Sequence, residues 1–278
     1  MIGAIAGDII GSVYEYIPMK DYDFKLFHPH SNFTDDTILT IAIAHAILEG
    51  KEYGLSLKTF GRRYPGAGYG SMFNNWLDQE ETKPYNSWGN GSAMRVSPIG
   101  FAYDSMDEVL TQAEKSASVT HNHPEGIKGA QATALAIYLA RTGRDKKEIK
   151  ENISSRFGYN LSRTLDEIRP HYSYNESCYR TVPEAIIAFL ESEGYEDAIR
   201  KSVSLGGDSD TQACITGGIA QAYYKSIPQK IIKRVNGLLP EEFLKIIEDF
   251  NAKFKIEIST SECSSLFRSA SRESSNDR

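Results

Sequence analysis

Two short acidic turns carry the densest potential chemistry in the sequence: Thr34-Asp35-Asp36-Thr37 and Gly207-Asp208-Ser209-Asp210-Thr211. Each stands at the head of an apolar stretch that predicts a helix, Asp36 to Leu48 in the first case and Asp210 to Tyr224 in the second. Residues two apart in a continuous helix point about 200° from each other. Asp208 and Asp210 therefore converge only if they lie at the turn before the helix, where Gly206 and Gly207 supply permissive backbone. N-capping is one explanation for such turns, because Asp, Ser and Thr are favoured caps and acids in a first turn gain about 0.3–1 kcal/mol each from the helix dipole. A cap accounts for one oxygen, however, whereas each turn offers three carboxylate or hydroxyl ligands within four residues. Carboxylates this close repel unless a cation lies between them. Four Asp and two Thr form an all-oxygen set suited to Mg2+, Mn2+ or Ca2+ rather than zinc. Capping and cation binding can coexist at the same turns.

A second candidate is Ser87-Trp88-Gly89-Asn90-Gly91-Ser92-Ala93-Met94-Arg95, a Gly/Asn/Ser turn leading into a small-residue helix. Successive backbone N–H groups in such a turn can form an anion nest, backed by the helix N-terminus. An ordinary tight turn has the same composition. A third is Thr120-His121-Asn122-His123-Pro124 between two helices. Two histidines two residues apart can ligate a metal, but such residues more often cap a helix. Tyr64, Tyr69, Tyr85, Met72 and Met94 read as packing residues, with a base-stacking pocket as the alternative.

The elements that must position these groups are almost all helical. Helical spacing predicts further helices over Met106 to Ser118, Gly126 to Ala140, Val182 to Leu190, Tyr195 to Ser204 and Glu241 to Phe254. Pro183 and Pro240 read as helix starts, where a missing N–H costs little. Lys255 to Ser259 is the one short strand candidate. Arg62 to Gly91 is rich in Gly, Asn, Tyr and Pro, and predicts a long loop interrupted by a short helix around Met72 to Leu77. A loop of that length in a compact domain is usually functional or disordered, and its aromatic residues favour function. The expected architecture is a single compact all-α domain over residues 1–258, followed by a Ser-rich, disordered tail over 259–278.

Composition narrows the partners. With 31 basic and 37 acidic side chains the net charge is −6, so no basic field exists to hold nucleic acid nonspecifically or an anionic membrane. Three cysteines without a CxxC spacing argue against a disulfide framework or a cysteine-rich zinc site. The opening Met1 to Asp8 lacks a basic n-region and meets an acid too early for a secretory signal, and no apolar run is long enough to span a bilayer. The expected setting is cytoplasmic, and the oligomeric state is not legible.

Taken in order along the chain, five segments resemble the ADP-ribosylglycohydrolase family, of the bacterial dinitrogenase-reductase-activating type. They are Gly7-Asp8-Ile9-Ile10-Gly11-Ser12 with Tyr14-Glu15, Thr34 to Thr37, Gly89 to Arg95, Thr120-His121, and Gly206 to Thr211. The resemblance implies an orthogonally packed all-α domain holding two Mg2+ ions, with Mn2+ as a substitute. It further implies Thr34, Asp35, Asp36, Asp208, Asp210 and Thr211 as metal ligands, and Ser87, Trp88, Gly89, Asn90 and Gly91 as the loop that grips diphosphate and ribose. His121 would contact ADP-ribose, Glu15 would gate or position the substrate, and Asp8 and Arg95 would be structural. The implied reaction is hydrolysis of a ribosyl C1 bond in an ADP-ribose conjugate of a protein or small molecule, arginine-linked by default. Such cleavage passes through an oxocarbenium-like state and needs a positioned water, with Asp36 or Asp210 taking its proton. A metal hydrolase of phosphate esters or nucleosides, and a non-catalytic ADP-ribose-binding or structural protein of the same fold, are the alternatives.

Overall fold

The computed structural model describes residues 1–81 and 83–259. In chain order the helices are α1 (Ile2–Gly11), α2 (Asp35–Glu49), α3 (Tyr53–Arg63), α4 (Ser71–Asp78) and α5 (Gly91–Met94). There follow α6 (Ser97–Ala102), α7 (Met106–Ser118), α8 (Pro124–Arg141), α9 (Lys146–Phe157) and α10 (Leu165–Ile168). The last five are α11 (Cys178–Leu190), α12 (Tyr195–Val203), α13 (Ser209–Tyr224), α14 (Gln229–Asn236) and α15 (Glu241–Lys253). Among the described residues the only β pairing is two isolated bridges, so the expected all-α class holds. No helix among them is long and apolar enough to cross a membrane.

The centre of the molecule is a contact between α1 and α13. Every residue of α1 is buried, and so is every residue of α13 from Ser209 to Ala222. Gly3, Gly7 and Gly11 recur every fourth position and form one stripe along α1. A Cβ added at Gly7 would lie 2.0 Å from the carbonyl oxygen of Ala213, so the two helices touch backbone to backbone. Helix separation is normally set by the side chains at the crossing; here there are none. The effect is to hold Asp8, on α1, against the head of α13. Helices α2, α8, α11 and α12 enclose this pair, and their inward Ile, Leu, Ala and Phe side chains join one hydrophobic core.

Three sequence expectations need correction. Helix α1 is absent from the predicted set, because three glycines in ten residues lower helix propensity and only packing against α13 recovers it. Pro183 does not start a helix: α11 begins five residues earlier, where the Ser177 hydroxyl accepts from the Arg180 N–H. The turn that Pro183 disrupts is surface, with Tyr179 63% exposed. Lys255 to Ser259 does not form a strand; Ser259 makes a single parallel bridge to Ser226. Ser259 is also held by hydrogen bonds with Lys225 and Ile227, and the rest of the predicted tail, 260–278, lies outside the described residues.

Candidate active site

The two acidic turns meet at the base of a cleft of about 570 Å³. The first turn is built from below. Thr34 is the N-cap of α2, its hydroxyl accepting from the Asp36 N–H at 3.3 Å. Asp8 then accepts from the Thr34 N–H at 3.0 Å, the Thr34 hydroxyl at 2.8 Å and the Thr37 N–H at 3.1 Å, and also from the Thr37 hydroxyl. One carboxylate from α1 therefore fixes the whole start of α2. Because the Thr34 proton points at Asp8 and one lone pair accepts from the Asp36 N–H, a single lone pair of that hydroxyl is left for another partner.

The second turn is built differently. Asp208 occupies the N-cap position of α13 yet makes no side-chain cap bond. Its carboxylate instead accepts from the Asn90 side-chain amide at 2.7 Å. Capping therefore does not explain Asp208. The backbone before it bends through Gly206 and Gly207 at φ +69° and +81°, a region that side-chain-bearing residues rarely adopt. Asp210 is the second residue of α13, so the two carboxylates straddle the helix start as the spacing argument requires. Thr211 donates to Asp36 at 3.3 Å and joins the two turns directly.

Asp8, Asp36 and Asp210 each place a carboxylate oxygen within 4.8 Å of the others, and all three residues are buried. Asp36 Oδ1 is buried without a hydrogen-bond partner. An orphan carboxylate oxygen inside a cluster of acids is what a hard cation satisfies, and the donors are all oxygen, so the residues present fit a divalent metal. Burial, reinforced by neighbouring carboxylates, pushes Asp35, Asp36 and Asp210 well above the usual carboxylate range. Burial likewise raises Asp208, and raises Asp8 to about 6 against the hydrogen bonds that favour its charge.

Most of the predicted residues reach the cleft. Glu15, Thr34, Asp35, Asp36, Asp208, Asp210 and Thr211 line it, as do Ser87, Gly89, Asn90, Gly91 and His121. Glu15 lies in the turn after α1, and burial together with the charge of Asp208 raises its carboxyl pKa. Lys20 pins the same segment: its ammonium donates to the carbonyls of Arg169 (2.9 Å), Tyr172 (2.7 Å) and Leu205, beside Gly206. Trp88 does not reach the cleft wall. Its side chain is half exposed, and its carbonyl accepts from the Cys178 N–H at 3.1 Å. The predicted anion nest is also partly engaged, since Gly89 N–H donates to the Ser87 hydroxyl and Asn90 N–H to the Glu176 carbonyl.

Sequence reasoning missed Asp8 as a member of the cluster. The available signal was an acid inside an otherwise apolar segment, which is rare unless the charge is paired. It also missed Tyr16 and Tyr174, exposed large side chains on the cleft wall; Met72, read as packing with a base-stacking pocket as the alternative, is exposed on the same wall. Of the two histidines, His123 is the N-cap of α8 and accepts from the Glu125 N–H, while His121 is buried against the cleft.

Comparison with known proteins identifies the family and the fold. A family model described as ADP-ribosylglycohydrolase matches residues 1–258. The chain is 27% identical to the ADP-ribosylhydrolase ARH3 of Homo sapiens, over 81% of this chain and 84% of that protein. It is 24% identical to the ADP-ribosylarginine hydrolase Tri1 of Pseudomonas putida (strain GB-1), over 84% of this chain and 72% of that one. Among solved structures, one titled "ADP-ribosylglycohydrolase-related protein complex" has the same fold, with a TM-score of 0.68 at 22% identity, covering 92% of this chain and 94% of that one.

Proposed function

The chain belongs to the ADP-ribosylglycohydrolase family, and from that premise we propose that it is a metal-dependent hydrolase releasing ADP-ribose from conjugates linked through ribosyl C1. The observation that carries this reading is the unpartnered Asp36 oxygen within the Asp8–Asp36–Asp210 cluster, at the floor of a cleft large enough for a nucleotide. Thr34, Asp35, Asp36, Asp208, Asp210 and Thr211 are the residues we assign to a pair of Mg2+ ions, with Mn2+ as substitute. When bound, such ions supply Lewis-acid polarisation and positive charge that offsets the clustered carboxylates.

The chain's own groups account for the rest of the reaction. Ser87, Gly89, Asn90 and Gly91 shape the wall that receives diphosphate and ribose, and His121 supplies a donor there. Trp88 stays outside that set. Glu15 positions the ribose. A cluster carboxylate, Asp36 or Asp210, takes the proton from a water that attacks C1 as the C1–leaving-group bond breaks. Water thus adds to C1, and the leaving group departs with a proton. Arginine-linked ADP-ribose on a protein is the substrate we favour, because the similar Pseudomonas protein is named for ADP-ribosylarginine, and the cytoplasm is the setting we favour.

The test is incubation with ADP-ribosyl-arginine and magnesium, with and without chelator, beside serine-linked, O-acetyl and nucleic-acid-linked conjugates. Chelator-sensitive release of ADP-ribose is the expected result. Free phosphate as product would point to a phosphoesterase, and binding of ADP-ribose without turnover of any conjugate would point to a non-catalytic role.

A further inference from the structure

Arg95 is wholly buried, and no carboxylate lies within ion-pair distance of it among the described residues. Its guanidinium Nη2 donates to the Ser116 carbonyl at 3.1 Å and to the Thr120 hydroxyl at 2.9 Å. The Thr120 hydroxyl lies 2.7 Å from His121 Nδ1. A hydroxyl carries one proton and two lone pairs, and a guanidinium only donates. One Thr120 lone pair is therefore engaged by Arg95. Donation from a cation makes the Thr120 hydroxyl a better donor and a poorer second acceptor. The Tyr85 phenol beside it keeps its own proton, because burial raises its pKa to about 12. Of the two acceptors beside it, a phenol oxygen and an imidazole nitrogen, the nitrogen is far the more basic, so the Thr120 proton goes to His121 Nδ1.

From this geometry we infer that Arg95 and Thr120 are positioning residues that hold His121 as the neutral tautomer protonated on Nε2, aiming an N–H donor into the cleft beside Gly91. The direction follows from the glycine turn. A Cβ on Gly91 would lie 3.1 Å from His121 Nε2, and one on Gly89 would lie 3.6 Å from it. Nε2 thus faces the turn that lines the cleft and has no protein partner among the described residues. Its complement is an acceptor oxygen, phosphate or sugar hydroxyl, and this part of the inference rests on the ADP-ribose reading above. The buried cation at the other end of the relay also opposes a second proton on the ring, in keeping with a His121 pKa held well below the ordinary value, chiefly by burial and then by Arg95. Tautomer choice by the partner of the opposite nitrogen is a general property of imidazole.

The experiment is nitrogen NMR of the imidazole on full-length, 15N-labelled, ligand-free protein, with His121 assigned by the signals lost in His121→Gln. The relay predicts an unprotonated Nδ1 and a protonated Nε2 in the wild type. Thr120→Val should shift the ring toward the other tautomer, and Thr120→Ser should restore it. A protonated Nδ1 in the wild type, or a ring unchanged in Thr120→Val, overturns the relay. Calorimetry with ADP-ribose then reads the donor: Kd should rise roughly tenfold in Thr120→Val, the loss of about one net hydrogen bond, and recover in Thr120→Ser. An unchanged Kd, or no ADP-ribose binding by the wild type, overturns the cleft-facing donor. Binding retained without hydrolysis of any conjugate would count against the hydrolase reading and leave the relay standing.

Discussion

The two acidic turns look alike in sequence and are held in unlike ways. The 34–37 turn is fixed by side-chain acceptance, with one buried carboxylate, Asp8, receiving four donors from Thr34 and Thr37. The 208–211 turn is fixed by backbone shape and two neutral amides, with Gly206 and Gly207 at positive φ, Gln212 donating to the Gly206 carbonyl and Asn90 donating to Asp208. The first support is itself anionic, so it adds negative charge to the cluster it orders. The second is neutral and adds none. A pair of sequence motifs can therefore share a chemistry without sharing the physics that presents it, and the two halves should fail differently.

The largest expected effect falls on the acids that meet where the two turns converge. Asp210→Asn should lower magnesium affinity by more than the roughly 10–100-fold typical of supporting residues, and abolish turnover. Calorimetry with magnesium in the absence of substrate checks this, and unchanged affinity would remove Asp210 from the cation-binding set. Next comes the contrast itself. Asp8→Asn should weaken magnesium binding by about 10–100-fold, because an amide nitrogen cannot accept from Thr37. Asn90→Ala removes one charge-assisted bond and should cost nearer tenfold. Equal losses in the two variants would erase the distinction drawn between the turns.

A smaller, graded effect is expected with pH. In the folded protein the carboxyls of Asp8, Asp35, Asp36, Asp208 and Asp210 are raised, so they hold protons where the unfolded chain has lost them. The metal-free protein should therefore lose stability as pH rises above about 4 and through the folded values, about 6 for Asp8. A cation that displaces those protons reverses the trend, so the rise in Tm on adding magnesium should grow from about pH 5 to about pH 8. His121 acts in the opposite sense, because its lowered pKa costs stability as pH falls below 6.5. It is present with and without the metal and largely cancels in the difference. A magnesium-induced shift that does not vary with pH would show that the acids are already charged without metal. The smallest effect belongs to Trp88→Ala, which should change KM for ADP-ribosyl-arginine by no more than about twofold, since the side chain stands outside the cleft.

The turns were legible because acid density at a predicted helix start is a local signal, and so was the all-helical class. Helix α2 illustrates this, since its apolar segment, its capping threonine and its two leading acids are contiguous. Asp8 was not legible in the same way. Its role consists of bonds to residues 26 and 29 positions away, and those exist only after α1 has packed against α13. Trp88 was assigned to the cleft by its place in a motif, but motif membership does not say which way a side chain points. Asn90 lines the cleft, and the contact of its side-chain amide with Asp208 spans 118 positions, beyond the reach of any local signal.

The bare crossing at Gly7 leaves nothing soft between Asp8 and the head of the neighbouring helix. Most helix pairs are cushioned by a layer of rotamers that can shuffle to absorb a change; here an added methyl would push only on rigid peptide. The gap between these carboxylates is accordingly gauged by the thickness of a main chain. Widening it for a larger ion such as calcium calls for prising the helices apart with alanine at Gly11, where a Cβ would press on the Ser209 carbonyl at 2.4 Å, and leaving every acid untouched.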